Sequence, residues 1–232
     1  MKKSLINKKI SILIPVYNEE KTIEKILEKV LKETENLNKE IIVINDGSTN
    51  RTLEILQKFQ KKITLINFNK NQGKGAALRA GLEKSKGEIT IFQDADLEYD
   101  PKDYLLLLEP ILQQRAQVVY GSRNLSPQRH GYKRYLWGGK LLTGIINFLF
   151  GTHLTDINTG YKVFVTDILK KLKIESSGFE VCEELTLKAL RQNLKILEVP
   201  ISYSPRTFKE GKKIKWLDGP KAILTIFKYY FK

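Results

Sequence analysis

The 232-residue chain has one cysteine, two histidines, one methionine and two tryptophans. A lone Cys182 cannot close an intramolecular disulfide and fits a reducing compartment. His130 and His153 are too few for a histidine-built zinc site. Long apolar runs are missing too: no stretch reaches the roughly 20 residues of a membrane-spanning helix. Lys2 and Lys3 open the chain, but Leu5-Ile6 gives way to Asn7-Lys8-Lys9 before the apolar core of a signal peptide develops. Acidic residues are in deficit, 26 against 40 basic, for a net charge of +14. Such a balance points to a polyanionic partner: nucleic acid, anionic lipid or a phosphorylated substrate. Solvated lysine-rich helix faces account for part of it.

What is present is an alternation of apolar strands and amphipathic helices. Lys9–Ile14, Glu40–Asn45, Ile63–Phe68, Glu88–Gln93 and Gln117–Tyr120 read as buried strands, the first ending at Pro15. Between them, Ile23, Ile26, Leu27, Val30 and Leu31 share one helical face. Ser48 reads as the cap of a helix carrying Leu53, Leu56 and Phe59. Gly75–Ser85 forms the next helix, and Pro101 opens another through Leu105–Leu108. The pattern predicts a Rossmann-like α/β fold, a mostly parallel sheet covered by helices. Such sheets bind ligands at the carboxyl ends of their strands.

Five polar clusters fall at those ends: Tyr17-Asn18-Glu19, Asp46-Gly47-Ser48, Asn71–Gly75, Asp94-Ala95-Asp96 and Gly121-Ser122-Arg123. One Asp-x-Asp arises readily by chance; five ordered polar loops on one edge do not. Carboxylate oxygens at Asp94, Asp96 and Glu98 suit a hard divalent cation, Mg2+ or Mn2+. Alternation in an extended segment would put all three on one side. Asp46 can accept from the N–H edge of a uracil or guanine ring, Tyr17 can stack on the base, and Glu19 can bind base or ribose. Asn71-Gln72-Gly73-Lys74-Gly75 lacks both the Walker spacing and the third glycine of a dinucleotide fingerprint. It reads instead as a glycine-relieved turn that brings backbone and Lys74 to a nucleotide. Arg123, Arg134, Arg206 and Lys213 are candidate phosphate ligands.

The second half is less regular. Leu136–Phe150 is apolar, either a buried helix or one lying in a membrane interface. Glu183–Gln192 reads as a helix and Lys195–Val199 as a strand. The tail from Pro220 places Ile223, Ile226, Phe227, Tyr230 and Phe231 on one face of an amphipathic basic helix. The expected organisation is one catalytic domain over 1–215 and an amphipathic C-terminal helix over 216–232.

Ile14-Pro15-Val16-Tyr17-Asn18-Glu19, Asn45-Asp46-Gly47-Ser48, Asn71-x-Gly73-Lys74-Gly75, Asp94-x-Asp96 and Gly121-Ser122-Arg123 together resemble the GT-A glycosyltransferases of family 2. Asp156-x-Asn158-Thr159-Gly160-Tyr161-Lys162, Gly178-Phe179-Glu180 and Tyr203-x-x-Arg206 followed by Glu210-Gly211-Lys212-Lys213-Ile214 resemble its polyprenyl-phosphate branch, of the dolichol-phosphate mannose synthase type. The resemblance implies a GT-A fold, a GDP- or UDP-linked sugar donor, a divalent metal and a polyprenyl or dolichyl phosphate acceptor. It implies base and ribose contacts from Pro15, Tyr17, Glu19 and Asp46. It assigns donor phosphates to the Asp94-Ala95-Asp96 segment with its metal, to Arg206 and to Lys213. It puts the acceptor phosphate near Arg123 and Arg134, with Asp96 and Arg123 as catalytic residues. Glu98 stands where the family often has Gln, and Gly138 where it often has Ser or Asn.

The expected reaction is inverting transfer of a hexose, mannose or glucose, to the lipid phosphate. A phosphate monoester with a second pKa of about 6 is already nucleophilic at neutral pH, so no general base is required. A saccharide hydroxyl acceptor would need one, with Glu183 or Glu184 the candidates. A lipid substrate implies a membrane-surface partner, peripheral attachment on the cytoplasmic face, and room for an anchoring subunit or a homo-oligomer. From Tyr203 to Lys232, eight basic and two acidic residues favour an anionic surface. Nucleic acid is not an expected partner, because basic and aromatic residues do not interleave on a sheet.

Overall fold

The computed structural model describes residues 7–126, 133–206 and 218–232. Five strand–helix pairs build the first half: β1 (Ile10–Val16), α1 (Ile23–Glu33), β2 (Lys39–Asn45), α2 (Thr52–Gln57), β3 (Thr64–Asn67), α3 (Lys74–Lys84), β4 (Ile89–Phe92), α4 (Tyr104–Leu112), β5 (Val118–Ser122) and α5 (Lys133–Phe150). The second half adds β6 (Lys162–Val165), α6 (Thr166–Leu172), α7 (Val181–Arg191), β7 (Ile196–Pro200) and α8 (Asp218–Phe231). The seven strands form one sheet in the order β3-β2-β1-β4-β6-β5-β7.

Period-two alternation divides the core. Ile10, Ile12, Ile14 and Val16 pack with Ile23, Ile26, Leu27 and Val30 of α1 and Leu107, Leu108 and Ile111 of α4 on one face. Leu13, Ile42, Ile44, Phe92 and Phe164 pack with Leu78 and Leu82 of α3, Leu169 of α6 and Leu185 of α7 on the other. A third cluster joins Ile146 of α5, Leu187 of α7, and Ile226 and Tyr229 of α8. Arg191 ties α8 down by donating to the Tyr229 and Tyr230 carbonyls at 2.7 and 3.1 Å. Leu136–Phe150 therefore lies in a helix that is buried at Ile146 yet leaves Leu141 and Phe148 exposed.

Four sequence expectations change. The first strand does not stop at Pro15 but runs to Val16. Val16 O accepts from Asp46 N on the β2 side, so Pro15 faces β4, beyond the last β1–β4 pair at Leu13–Phe92, where no N–H is required. Ser48 does not cap α2; its Oγ accepts from Asn18 N, and Asn50 Oδ1 accepts from Thr52 N at the helix start. Pro101 opens a short 3-10 turn, capped by Asp100, before α4 begins at Tyr104. The largest change is β6, a strand that escaped the reading. It runs antiparallel to both β4 and β5. Because it enters the sheet from the opposite direction, the segment before it, 156–161, lies at the same edge as the carboxyl ends of the parallel strands.

Close backbone packing joins α3 to the loop before α7. The Gly75 and Ala76 N–H groups donate to Ser177 O at 2.7 and 3.2 Å. A Cβ on Gly75 would fall well inside van der Waals contact of Ser176 O. Gly75→Ala is therefore expected to lower stability by about 1–3 kcal/mol, although Ala is the better helix former. Gly144→Ala in α5, where an added Cβ meets nothing within 4 Å, is expected to raise stability by about 0.5–1 kcal/mol. Denaturant midpoints of the two variants check the opposite signs.

Candidate active site

The parallel strands deliver their loops to one edge, and β6 and the tail of β7 complete it. Asp46, after β2, is buried at the centre of a loop clamp. Its Oδ1 accepts from Gln72 N at 2.7 Å; its Oδ2 accepts from Gly73 N at 2.8 Å and Asn71 Nδ2 at 2.9 Å. Burial raises its carboxyl above the usual range, opposed by the Gln72 and Gly73 N–H groups. The 71–75 turn is thus held by Asp46 from one side and by Ser177 from the other. The glycines at 73 and 75 are required by the close approach of the 176–178 backbone, a packing reason that the sequence reading of this turn did not contain. Lys74, carried at the start of α3, makes an ion pair with Asp94. Burial pulls the Lys74 ammonium down, but Asp94, with Cys182 and Asp96, turns the net shift upward.

Beyond Phe92 the chain is bent, not extended. Asp96 Oδ1 accepts from Glu98 N at 3.0 Å, a two-residue Asx turn. The expected alternation therefore fails: Asp94 pairs with Lys74, whereas Asp96 and Glu98 pair with Arg206. The Arg206 guanidinium is enclosed by three carboxylates. Its Nη2 donates to Asp96 Oδ2 at 2.6 Å, its Nη1 to Glu19 at 3.0 and 3.2 Å, and its Nε to Glu98 Oε1 at 3.3 Å. Tyr203 Oη donates to the other Glu98 oxygen at 2.8 Å. Thr22 Oγ1 lies 2.8 Å from Glu19 Oε2 and 3.0 Å from the Ala95 carbonyl. The expected donor residues Glu19, Ala95, Asp96 and Arg206 are thus brought together, with Asp94 and Lys74 beside them. Tyr17 and Pro15 occupy the same edge, half-buried. Burial first, then Asp94, push the Asp96 carboxyl above its ordinary range, against the pull of Arg206.

The metal expectation can be tested on this donor set. Glu19, Asp94, Asp96 and Glu98 outnumber Arg206 and Lys74 by two negative charges, and their oxygens suit a hard cation. In chemical type the set fits Mg2+ or Mn2+, which Asp94, Asp96 and Glu98 would hold. Among the described residues, however, no three such ligands converge as a ready cage. Arg206 and Lys74 occupy their lone pairs.

Arg123, after β5, is held by Asp156 before β6. Its Nε and Nη2 both donate at 2.7 Å, and its backbone N donates at 3.0 Å. Glu198 of β7 in turn accepts from Thr155 N and Asp156 N at 2.7 and 2.8 Å. The guanidinium lies 5.1 Å from the Tyr203 ring, which links it to Glu98 and the donor cluster. Arg134 lies in α5 with its side chain outside the described residues, and Lys213 lies wholly outside them.

Sequence reading gave no role to several residues of this edge. The Gly160 N–H donates to Tyr99 Oη at 2.9 Å. A Cβ on Gly160 would clash with Asp94 Oδ2, so this glycine lets the carboxylate rest on the backbone. Lys162 is fully buried, donating to Ile157 O at 2.6 Å with its Nζ 3.8 Å from the Tyr120 ring centre. Burial holds its ammonium below the usual range. The Asp-x-Asn-Thr-Gly-Tyr-Lys run carried the signal, since a lysine inside an apolar strand needs a partner. The two base candidates also separate. Glu184 accepts from Glu175 N and Ser176 N at 2.7 and 2.8 Å and from Lys188 at 2.6 Å, so it fastens the loop before α7. Glu183 is buried against the Asn158 amide, and burial raises its carboxyl.

Comparison with known proteins agrees with this architecture. The chain is 31% identical over 225 residues to dolichyl-phosphate beta-glucosyltransferase ALG5D of Trichomonas vaginalis, covering 89% of this chain and 68% of that protein. It is 26% identical to a dolichol-phosphate mannosyltransferase of Pyrococcus furiosus, covering 95% of this chain and 61% of that one. It is 29% identical to a UDP-N-acetylglucosamine–dolichyl-phosphate N-acetylglucosaminyltransferase of Methanococcus voltae, covering 90% and 92%. The fold matches glucosyl-3-phosphoglycerate synthase of Mycobacterium tuberculosis in complex with UDP, with a TM-score of 0.78 at 20% identity over 97% of this chain and 81% of that one. The GT-A fold is thereby established. Residues 11–173 match glycosyl transferase family 2, and the chain belongs to that family.

Proposed function

We propose that this enzyme moves a hexose, glucose or mannose, from a UDP- or GDP-linked donor to a polyprenyl phosphate, with inversion. The observation that carries the reading is a pair of arginine sites on one sheet edge, linked through Tyr203. Arg206 sits in the Glu19–Asp96–Glu98 cluster, and Arg123 sits on Asp156. Two phosphate-binding forks suit a reaction with a leaving diphosphate and an attacking phosphate. The names of the relatives, which transfer sugars to dolichyl phosphate, support the same acceptor class.

In this reading Tyr17, Pro15, Glu19 and Asp46 surround the nucleoside, and Asp46 acts by fixing the 71–75 turn. Arg206, Lys74 and Lys213 take the diphosphate. Asp94, Asp96 and Glu98 would hold Mg2+ or Mn2+; the M. tuberculosis synthase crystallised with Mn2+ and UDP supports a divalent ion. When bound, that ion supplies charge neutralisation at the leaving diphosphate. Arg123, with Arg134, orients the acceptor phosphate. A phosphate oxygen forms the bond to the anomeric carbon from one face. The bond to the diphosphate breaks on the other, and its electron pair leaves with the nucleotide. The nucleophile brings its own charge, so this step uses no base. Glu184 is committed to the 175–176 backbone, which further favours a phosphate acceptor over a hydroxyl.

Membrane contact is part of the proposal, at the cytoplasmic face. Leu141 and Phe148 of α5 and Leu224, Phe227 and Phe231 of α8 are exposed, with Lys140, Lys221, Lys228 and Lys232 nearby in sequence. No helix among the described residues is long and apolar enough to cross a membrane. An interfacial seat would bury the rings and leave the lysines among anionic headgroups.

Three outcomes are expected. Incubation with polyprenyl phosphate, a divalent metal and UDP-glucose or GDP-mannose yields a hexosyl lipid phosphate of inverted configuration by mass spectrometry and NMR. Retained configuration, or no product from any donor, contradicts the proposal. Glu183→Gln leaves turnover within about tenfold, whereas loss of a general base costs roughly 100- to 10,000-fold; a loss of that size points to a hydroxyl acceptor. Replacing Phe148, Phe227 and Phe231 by Ser lowers binding to anionic vesicles by roughly tenfold per ring in a sedimentation assay, with activity on a short-chain acceptor retained.

A further inference from the structure

The Asp156–Gly160 segment has a function still unaccounted for at its midpoint. Asp156 holds Arg123, the fork assigned to the attacking phosphate. Gly160 lies against Asp94, assigned to the leaving diphosphate. The anomeric carbon must pass between those two phosphates, so the residues between Asp156 and Gly160 border the sugar. Both neighbours of Asn158 are committed: the Ile157 carbonyl accepts from Lys162, and Thr159 Oγ1 accepts from Tyr161 N. The Asn158 side chain is not. Its Nδ2 donates to Glu183, while its Oδ1 is the one buried side-chain polar atom among the described residues that has no hydrogen-bond partner.

Buried amide oxygens are almost always satisfied, and an orphan marks a place where a ligand or water completes the set. Turning the amide over does not remove the orphan, because Glu183 can engage only one end of it. The residue is half-buried while Oδ1 itself is covered, so a ligand reaches that oxygen through a small local rearrangement. Above it lies Gly139 of α5, whose Cβ, if present, would sit 3.9 Å from Oδ1; next to it, an added Cβ on Gly138 would meet nothing within 4 Å. No side chain from that pair covers the amide.

We propose that Asn158 reads the transferring sugar: its Oδ1 accepts a hydrogen bond from a hydroxyl of the donor hexose, and Glu183 is the positioning residue that fixes the amide. The inference rests on the donor reading above and adds the specificity element that it lacks. A site with an acceptor built for one hydroxyl discriminates strongly against a sugar that lacks it or presents it on the wrong face.

The test is calorimetric titration of the full chain with Mn2+ and, in turn, UDP, UDP-glucose, GDP and GDP-mannose. In Asn158→Ala, affinity for the preferred nucleotide sugar falls roughly tenfold to a hundredfold, the loss of one buried hydrogen bond. Affinity for the matching nucleoside diphosphate stays within about threefold, which also reports that the fold survives. Glu183→Gln keeps an acceptor oxygen for the Asn158 amide and removes only the charge, so Oδ1 stays in place; it retains nucleotide-sugar binding within about threefold. Unchanged nucleotide-sugar binding in Asn158→Ala, or an equal loss for diphosphate and nucleotide sugar, overturns the inference. So does an equal loss in both variants, which assigns the effect to the Glu183 contact. A wild-type chain that binds none of the four overturns the donor reading itself, and the inference with it.

Discussion

The Arg206 guanidinium, enclosed by Glu19, Asp96 and Glu98, is the interaction on which the site depends. Three carboxylates this close to one another and this deeply placed would repel and would each carry a desolvation cost. One planar cation with donors on three edges offsets both. In doing so it joins the loop after β1, the loop after β4 and the tail of β7, three segments far apart in sequence. Removing either side of such a pair leaves buried charge uncompensated. The same pairing therefore serves stability in the free enzyme and, in the proposed reaction, phosphate binding.

The sheet supplies the remaining geometry. Parallel strands β1, β2, β4 and β5 all end at one edge. The antiparallel β6 brings Asp156 and Gly160 to that edge from the other direction. Asp156 then fixes Arg123, and Gly160 lets Asp94 settle against the backbone. Tyr203 spans the two halves by bonding Glu98 and lying beneath Arg123. Proposed donor and acceptor phosphates are thus organised by adjacent residues of one network.

Much of this was legible in the sequence, and what was not has physical reasons. The five strand-end loops and the parallel arrangement of the first half follow from alternation and motif order, and a shared donor site for Glu19, Asp96 and Arg206 is what the family resemblance implies. The strand Lys162–Val165 was not readable: it is four residues long, and a lysine within it argues for solvent. The Tyr120 ring, the Ile157 carbonyl and the nearby Asp156 and Glu183 carboxylates make that lysine tolerable. The side-by-side placement of Asp94, Asp96 and Glu98 assumed an extended backbone, which the Asx turn at Asp96 breaks. The glycines at 73 and 75 were visible, but the chain that crowds them, Ser176-Ser177, lies a hundred residues away.

The central claim is that the acidic cluster around Arg206 is a metal–diphosphate site. Anomalous scattering from crystals of the chain grown with Mn2+ and UDP or GDP tests it most directly. The account predicts a manganese peak within bonding distance of Asp94 and Asp96, with Arg206 turned from those carboxylates to the nucleotide's phosphates. A nucleotide bound elsewhere, with Arg206 still enclosed by Glu19, Asp96 and Glu98 and no manganese between them, would contradict it.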